Sequence, residues 1–169
     1  FGILPLITGS LVVTIGAMLI AFPLGIGTAV YISEIAPRWM REILKPLVEL
    51  LGGLPSVVLG FLGILLVSPF LRVFLDLPTG LTAFTGSLLL GGIAVPTIVS
   101  VAEDALDAVP RSYREGAWAL GATRWQTIWR VTLPAAKSGV LTAVMLGVGR
   151  AIGETMTVMM VTGNAPVLA

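Results

Sequence analysis

From Ile3 to Ser33 this chain carries no charged side chain. A helix needs about 20 predominantly apolar residues to cross the hydrocarbon of a bilayer, so the run can span it with room for tilt. Pro23, Gly25 and Gly27 predict a bend near its far end, and these breaks with the length favour a packed bundle helix over a signal anchor. Three further spans are read at 50–71, 79–101 and 138–161; of these only the last contains charges, Arg150 and Glu154. The second holds Gly52, Gly53, Pro55, Gly60 and Gly63. Irregular backbone at membrane depth is tolerated only against protein or a wet cavity, so this span is expected to line a pathway. The third is expected to kink at Pro96.

Composition agrees. The chain is 56% hydrophobic and 11% charged, with a mean hydropathy of +1.01, whereas soluble domains carry about 25% charged residues. Without cysteine or histidine there is no disulfide framework, thiol nucleophile or iron–sulfur ligand set, and no imidazole base or ligand. No G-x-x-x-x-G-K-[ST] phosphate cradle is present, and H-E-x-x-H is ruled out. Ser56 and Ser68 lack a histidine base, and Glu154 lacks a second carboxylate close in sequence. The chain is therefore not expected to be an enzyme. The net charge of +1 sits on basic loops and points to no nucleic acid.

Between the first two spans, Arg38, Arg41, Glu42, Lys45 and Glu49 recur at helical spacing opposite Met40, Ile43, Leu44, Leu47 and Val48. This predicts an amphipathic helix at the membrane interface over 34–49, started by Pro37 and bent at Pro46. Basic residues orient the whole. The loops 34–49 and 103–137 are rich in arginine and lysine, while the loop between the second and third spans holds only Arg72. Positive loops stay cytoplasmic, so the first and third loops are expected inside and Phe1 outside. With no basic leader and cleavage site visible, the chain is expected to begin inside a larger protein with at least one earlier span.

The loop 103–137 carries the densest local signals. Pro110 can open a helix, Gly121 supplies the positive φ at which helices stop, and Thr123 with Gln126 makes a capping box. Thr132 and Pro134 are expected to restart a third helix. The run E-G-A-W-A-L-G-A-T-R-W-Q-T-I-W-R-V-T-L-P, Glu115 to Pro134, reads as a docking surface outside the membrane. Glu115, Ala117, Gly121, Val131, Leu133 and Pro134 fall at the spacing of the EAA loop, so the segment resembles that of ATP-binding-cassette importer permeases. Gly116 stands where that family usually has alanine, and Val131 where it has isoleucine. The resemblance implies an all-α, polytopic helical bundle of the type I importer (MetI-like) architecture. It also implies that Glu115, Gly116, Ala117, Gly121, Thr123, Arg124, Leu133 and Pro134 form the loop that couples to a cytoplasmic ATPase.

The last span carries the sharpest chemistry. Arg150 and Glu154 are spaced to share one helix face, about 6 Å apart along the axis. Counted from Ser138, Arg150 lies about 18 Å into a core of about 30 Å, where an arginine costs about 2.5–3.5 kcal/mol or more. One reading is a salt bridge locking helices together, although Arg before Glu is the weaker order on an isolated helix. The other is recognition of an oxyanion by the planar guanidinium, with Glu154 accepting a hydrogen bond from an anion that keeps a proton, as hydrogen phosphate does and sulfate does not. Gly139, Ala143, Gly147 and Ala151 at steps of four, and Gly149 with Gly153, predict close helix packing beside Arg150, within this subunit or across an interface.

The segment R-A-I-G-E-T-M-T-V-M-M, Arg150 to Met160, with P-L-I-T-G-S-L-V-V-T, Y-I-S-E-I-A-P and L-G-G-L-P-S-V-V-L-G-F, resembles the permeases of the bacterial Pst phosphate importers, their PstC-type more than their PstA-type. That resemblance implies a six-span subunit lacking its first and last spans here, in a bacterial or archaeal plasma membrane. The implied partners are a PstA-like permease, a pair of ATPase subunits and a periplasmic or lipid-anchored phosphate-binding protein. Phosphate would be the cargo on a path through Arg150 and Glu154. No cofactor of its own is implied, ATP and magnesium belonging to the ATPase. An importer permease for another oxyanion or nutrient, and an ion-coupled carrier or channel using the Arg–Glu pair, stay open.

Overall fold

The computed structural model describes residues 3–76 and 78–162; among them all regular structure is helical. Helix α1, Leu4–Val30, runs on into a π turn, Tyr31–Ile35. Helix α2 spans Arg38–Gly52. Helices α3, Ser56–Leu62, and α4, Ser68–Phe74, are joined by a π turn into one rod. Helix α5 spans Ala83–Asp107 and α6 Arg111–Ala119. Helices α7, Arg124–Thr127, and α8, Leu133–Ala135, are the ends of a second π-containing rod. Helices α9, Lys137–Gly153, and α10, Met156–Val161, complete the order.

Helix α5 is the axis on which the others pack. Thr82 caps it by accepting from the Thr85 N–H at 3.2 Å, which satisfies one of the donors left free at a helix start. Helix α1 lies parallel to it: Ser87 Oγ donates to Val13 O near one end and Ser33 Oγ to Asp107 Oδ1 near the other. The contact is built from small residues, with Ala17, Ala21 and Ala29 fully buried. A Cβ on Gly25 would stand 2.6 Å from Ile98 Cγ2. Gly25 therefore serves close packing rather than the bend expected there, and α1 continues through Pro23. Helix α9 runs antiparallel, with Gly139 against Ala105 and Gly147 against Ile98. The stripe Gly139–Ala143–Gly147–Ala151 is thus spent inside this chain, whereas Gly149 and Gly153 have open space beside them.

Among the described residues, Leu6–Ile35, Ser56–Phe74 and Ala83–Asp107 are each long and apolar enough to cross a membrane, and α7–α8 with α9 qualifies as a pair bent by 73°. Several expected boundaries move. The second apolar helix begins at Ser56 and reaches Phe74, because Gly52, Gly53 and Pro55 end α2 and hold a turn. The third extends past 101 to Asp107 and carries Glu103 within it. Lys45 of α2 reaches Glu103 and Asp104, and Gly52 approaches Pro96 near the middle of α5. Helix α2 therefore climbs alongside half of α5 instead of lying flat across its end. The α7–α8 rod passes through Thr132 and Pro134 without restarting; the chain turns at Ala136. The fourth apolar segment is broken after Gly153.

Candidate functional site

Two of these breaks meet at one level of the bundle. Gly147 lies against Ile98 and Gly52 against Pro96, so the α2–α3 turn and the far part of α9 converge near the middle of α5. Arg150 Nη2 donates to Gly52 O at 2.9 Å. Gly52 is the last residue of α2, where carbonyls lack helical partners and the helix dipole is negative, a favourable seat for a cation. Glu154 has left the helix, with φ −80° and ψ 112°. The expected shared face is therefore lost, and Arg150 and Glu154 form no ion pair. Glu154 Oε1 instead accepts from the Thr157 N–H at 3.3 Å, while the buried Thr157 hydroxyl donates to Ser56 O at 2.9 Å. Both charges are thus tied to one turn, Arg150 directly and Glu154 through Thr157.

Sequence reasoning identified the charges and missed what holds them. Its available signal was the Gly52-Gly53-Leu54-Pro55 cluster, which marks a break; nothing marked Ser56 and Thr157 as partners. The arrangement leaves most of the five guanidinium donors free, on an exposed face of α9. Arg150 thus keeps donors with which to meet an anion, and Glu154 keeps spare acceptor capacity.

A second polar cluster occupies the end of the bundle where α1, α2, α5 and α6 meet. Arg114 Nε and Nη2 both bond the Glu34 carboxylate, Nη2 to Oε1 at 2.6 Å, with side chains only 13% and 8% exposed. The same guanidinium donates to Leu106 O at 2.9 Å and Val109 O at 2.8 Å, satisfying carbonyls at the end of α5. Arg41 Nε donates to Ile32 O at 2.9 Å, a second nitrogen reaches Ser33 O, and a third stands 3.5 Å from Asp107 Oδ2. Lys45 Nζ lies 2.7 Å from the buried Glu103 Oε2 and 3.1 Å from Asp104 Oδ1. The Lys45 pKa is raised above its ordinary value, first by the hydrogen bond to Glu103, with burial opposing.

Beside this clasp opens a cavity of about 510 Å³ lined by Arg41, Asp107, Arg111, Glu115, Trp118 and Arg124 among others. Of the residues assigned to the coupling loop, Glu115 and Arg124 line it. Glu115, Gly116 and Pro134 are exposed, Ala117 is half-buried, and Leu133 packs on the apolar core. Gly121 takes φ +82°, with nothing within 4 Å of its missing Cβ, so the turn selects glycine by backbone conformation alone. The capping box forms as expected, Gln126 N to Thr123 Oγ1 at 3.3 Å and Thr123 N to Gln126 Oε1 at 3.0 Å. Arg114 and Glu34 were not expected as partners, since eighty positions separate them and no local pattern links such residues.

Long apolar helices, with polar helices gathered at one end, define an integral-membrane helical subunit. Residues 21–169 match the family of binding-protein-dependent transport system inner membrane components, and the chain belongs to it. It is 49% identical over 168 residues to a probable ABC transporter permease protein, YqgH, of Bacillus subtilis, covering 99% of this chain and 54% of that protein. It is 35% identical over 184 residues to the phosphate transport system permease protein PstC of Pasteurella multocida, covering 98% of this chain and 58% of that protein. With PstC 1 of Mycobacterium tuberculosis the identity is 38% over 182 residues, covering 96% and 54%. The chain thus spans a little over half the length of these relatives. A chain of the inward-facing MetNI methionine ABC transporter superposes with a TM-score of 0.68 at 24% identity, covering 90% of this chain and 68% of that one, which supports the expected all-α, MetI-like architecture. The expected multi-pass membrane placement follows from the family and the apolar helices.

Proposed function

We propose that this chain is the PstC-like part of an ATP-driven phosphate importer, paired with a PstA-like permease, served by a phosphate-binding protein and driven by ATPase subunits. The observation that carries the reading is Arg150 at the meeting of two helix breaks, in a chain similar along nearly all its length to phosphate permeases. Transporters place substrate sites where discontinuous helices meet near the bilayer centre. Leu146, Gly149, Arg150 and Gly153 face outward from α9, and the small residues offer the second permease a close approach that would enclose the guanidinium at the shared path. In this reading the loops 34–49 and 103–137 are cytoplasmic, and the Glu115–Gly121 helix and turn engage the ATPase.

The test is uptake of phosphate and sulfate into proteoliposomes holding the complete complex, with ATP inside. Arg150→Met is expected to abolish phosphate uptake, and Glu154→Gln to lower it while relaxing rejection of sulfate. Gly121→Val is expected to leave the complex assembled and to uncouple ATP hydrolysis from uptake. Normal uptake and anion selection in both the Arg150 and Glu154 variants would overturn the assigned path. Normal coupling with Gly121→Val would overturn the assigned loop.

A further inference from the structure

We propose that the Arg124–Ala135 rod lies in the plane of the membrane surface, with Trp125 and Trp129 seated among anionic lipid headgroups. The rod meets α9 at 73°, and α9 is packed antiparallel on the membrane-crossing α5. A helix that far from the axis of a spanning helix runs nearly along the bilayer surface. Its circumference divides into three. Thr127, Ile128 and Thr132 are buried against the bundle, between 0 and 4% exposed. Trp125 and Trp129, four apart and in edge-to-face contact at 5.9 Å, share one exposed flank, 58% and 57% open. Gln126 and Arg130, also four apart and exposed, share the other.

An exposed tryptophan pair has two natural occupants, lipid or the ATPase partner, and three observations favour lipid. An exposed aromatic flank adjoining a polar flank is what a helix floating at an interface presents, and tryptophan is enriched where hydrocarbon meets headgroups. The charge is complementary to an anionic surface: Arg124, Arg130 and Lys137 punctuate a stretch, Gly116 to Gly153, that contains no Asp or Glu. Past the buried turn at Ala136 the chain enters α9, which also presents an apolar outward face, Leu141 and Met145 being 64% and 63% exposed. The Gly121 turn then separates two jobs. The α6 side is free to engage a soluble partner, while the rod rests on the membrane as a fulcrum between that partner and α9. This requires only that α9 cross the bilayer, and not that the cargo be phosphate.

The test places single nitroxide labels at positions 125, 126, 129 and 130 of an otherwise cysteine-free protein, in the complete complex in vesicles containing phosphatidylglycerol. Labels at 125 and 129 are expected to favour oxygen over a nickel chelate as collision partner, and labels at 126 and 130 the reverse. Because a label replaces the tryptophan it reports on, emission of the native residues is measured in parallel. Loss of emission is expected to be greater with lipids brominated near the headgroup than at mid-chain, and the excess is expected to disappear in Trp125→Phe/Trp129→Phe. Equal water exposure of all four labels would overturn the proposal. So would protection of 125 and 129 that is lost when the ATPase is stripped from the same vesicles.

Discussion

Replacing Arg114 by methionine removes a side chain that ties α6, the end of α5 and the π turn after α1 together. Its partner Glu34 would keep a carboxylate only 8% exposed with its cation gone. Removing one member of a buried ion pair costs about 3–5 kcal/mol, because the remaining charge is left desolvated. The Leu106 and Val109 carbonyls lose their donor as well, at about 1 kcal/mol each. The expected loss is therefore about 5–7 kcal/mol, a large share of the margin of a folded domain. Equilibrium unfolding of the purified protein in mixed detergent–SDS micelles measures it. Arg38→Met is the internal control, since the Arg38–Glu42 pair has side chains 93% and 71% exposed and such pairs contribute almost nothing. Glu34→Met in the Arg114→Met background is expected to recover most of the loss, because an apolar pair of similar volume is often as stable as a buried ion pair. A cost for Arg114→Met no greater than that of Arg38→Met would refute the clasp, as would a double variant less stable than the single one.

The glycines of α9 offer a cleaner contrast. Gly147→Ala puts a methyl into Ile98 and is expected to cost about 1–3 kcal/mol through overpacking; Gly149→Ala, with open space beside it, is expected to be neutral or stabilising by up to about 1 kcal/mol from helix propensity. The same unfolding assay separates them, and equal losses would refute the packing assignment. For Lys45 the raised folded pKa sets the pH dependence: its contribution is fully present below the unfolded value of 10.5 and is lost as pH rises through the higher folded value. The melting-temperature gap between wild type and Lys45→Met should stay constant from pH 7 to that threshold and close above it; a gap that titrates near neutrality would refute the assignment.

What the sequence made legible follows from the range of the forces involved. The charge-free runs, the Pro110 start, the Gly121 stop and the Thr123–Gln126 box are dictated by neighbours within a few positions, and the helices obey them. The one-piece helix through Arg150 and Glu154 failed because the Glu154–Thr155 break has no glycine or proline of its own to announce it beyond Gly153. What anchors it is a tertiary contact, Thr157 reaching Ser56 O across the bundle, together with the local bond from Thr157 N to Glu154. The Arg114–Glu34 clasp was invisible for the same reason, since it depends on α1 and α5 running parallel and ending together.

That failure bears on mechanism. A continuous helix would have held the cation and the carboxylate as one rigid pair, and the path would have changed only by moving the whole rod. The break gives them separate anchors: Arg150 rides on α9 and reaches the α2–α3 turn by its one hydrogen bond to Gly52 O, while Glu154 is held through Thr157 to the start of α3. On the path proposed above, tilting α9 about its junction with the Arg124–Ala135 rod would change the distance between guanidinium and carboxylate, and with it the affinity for an anion. A bifunctional thiol reagent bridging cysteines placed at Gly153 and Ser56, at the facing ends of α9 and α3, should then block transport while leaving anion binding in place. Uptake that persists with the bridge closed would show that the two halves of the site travel together.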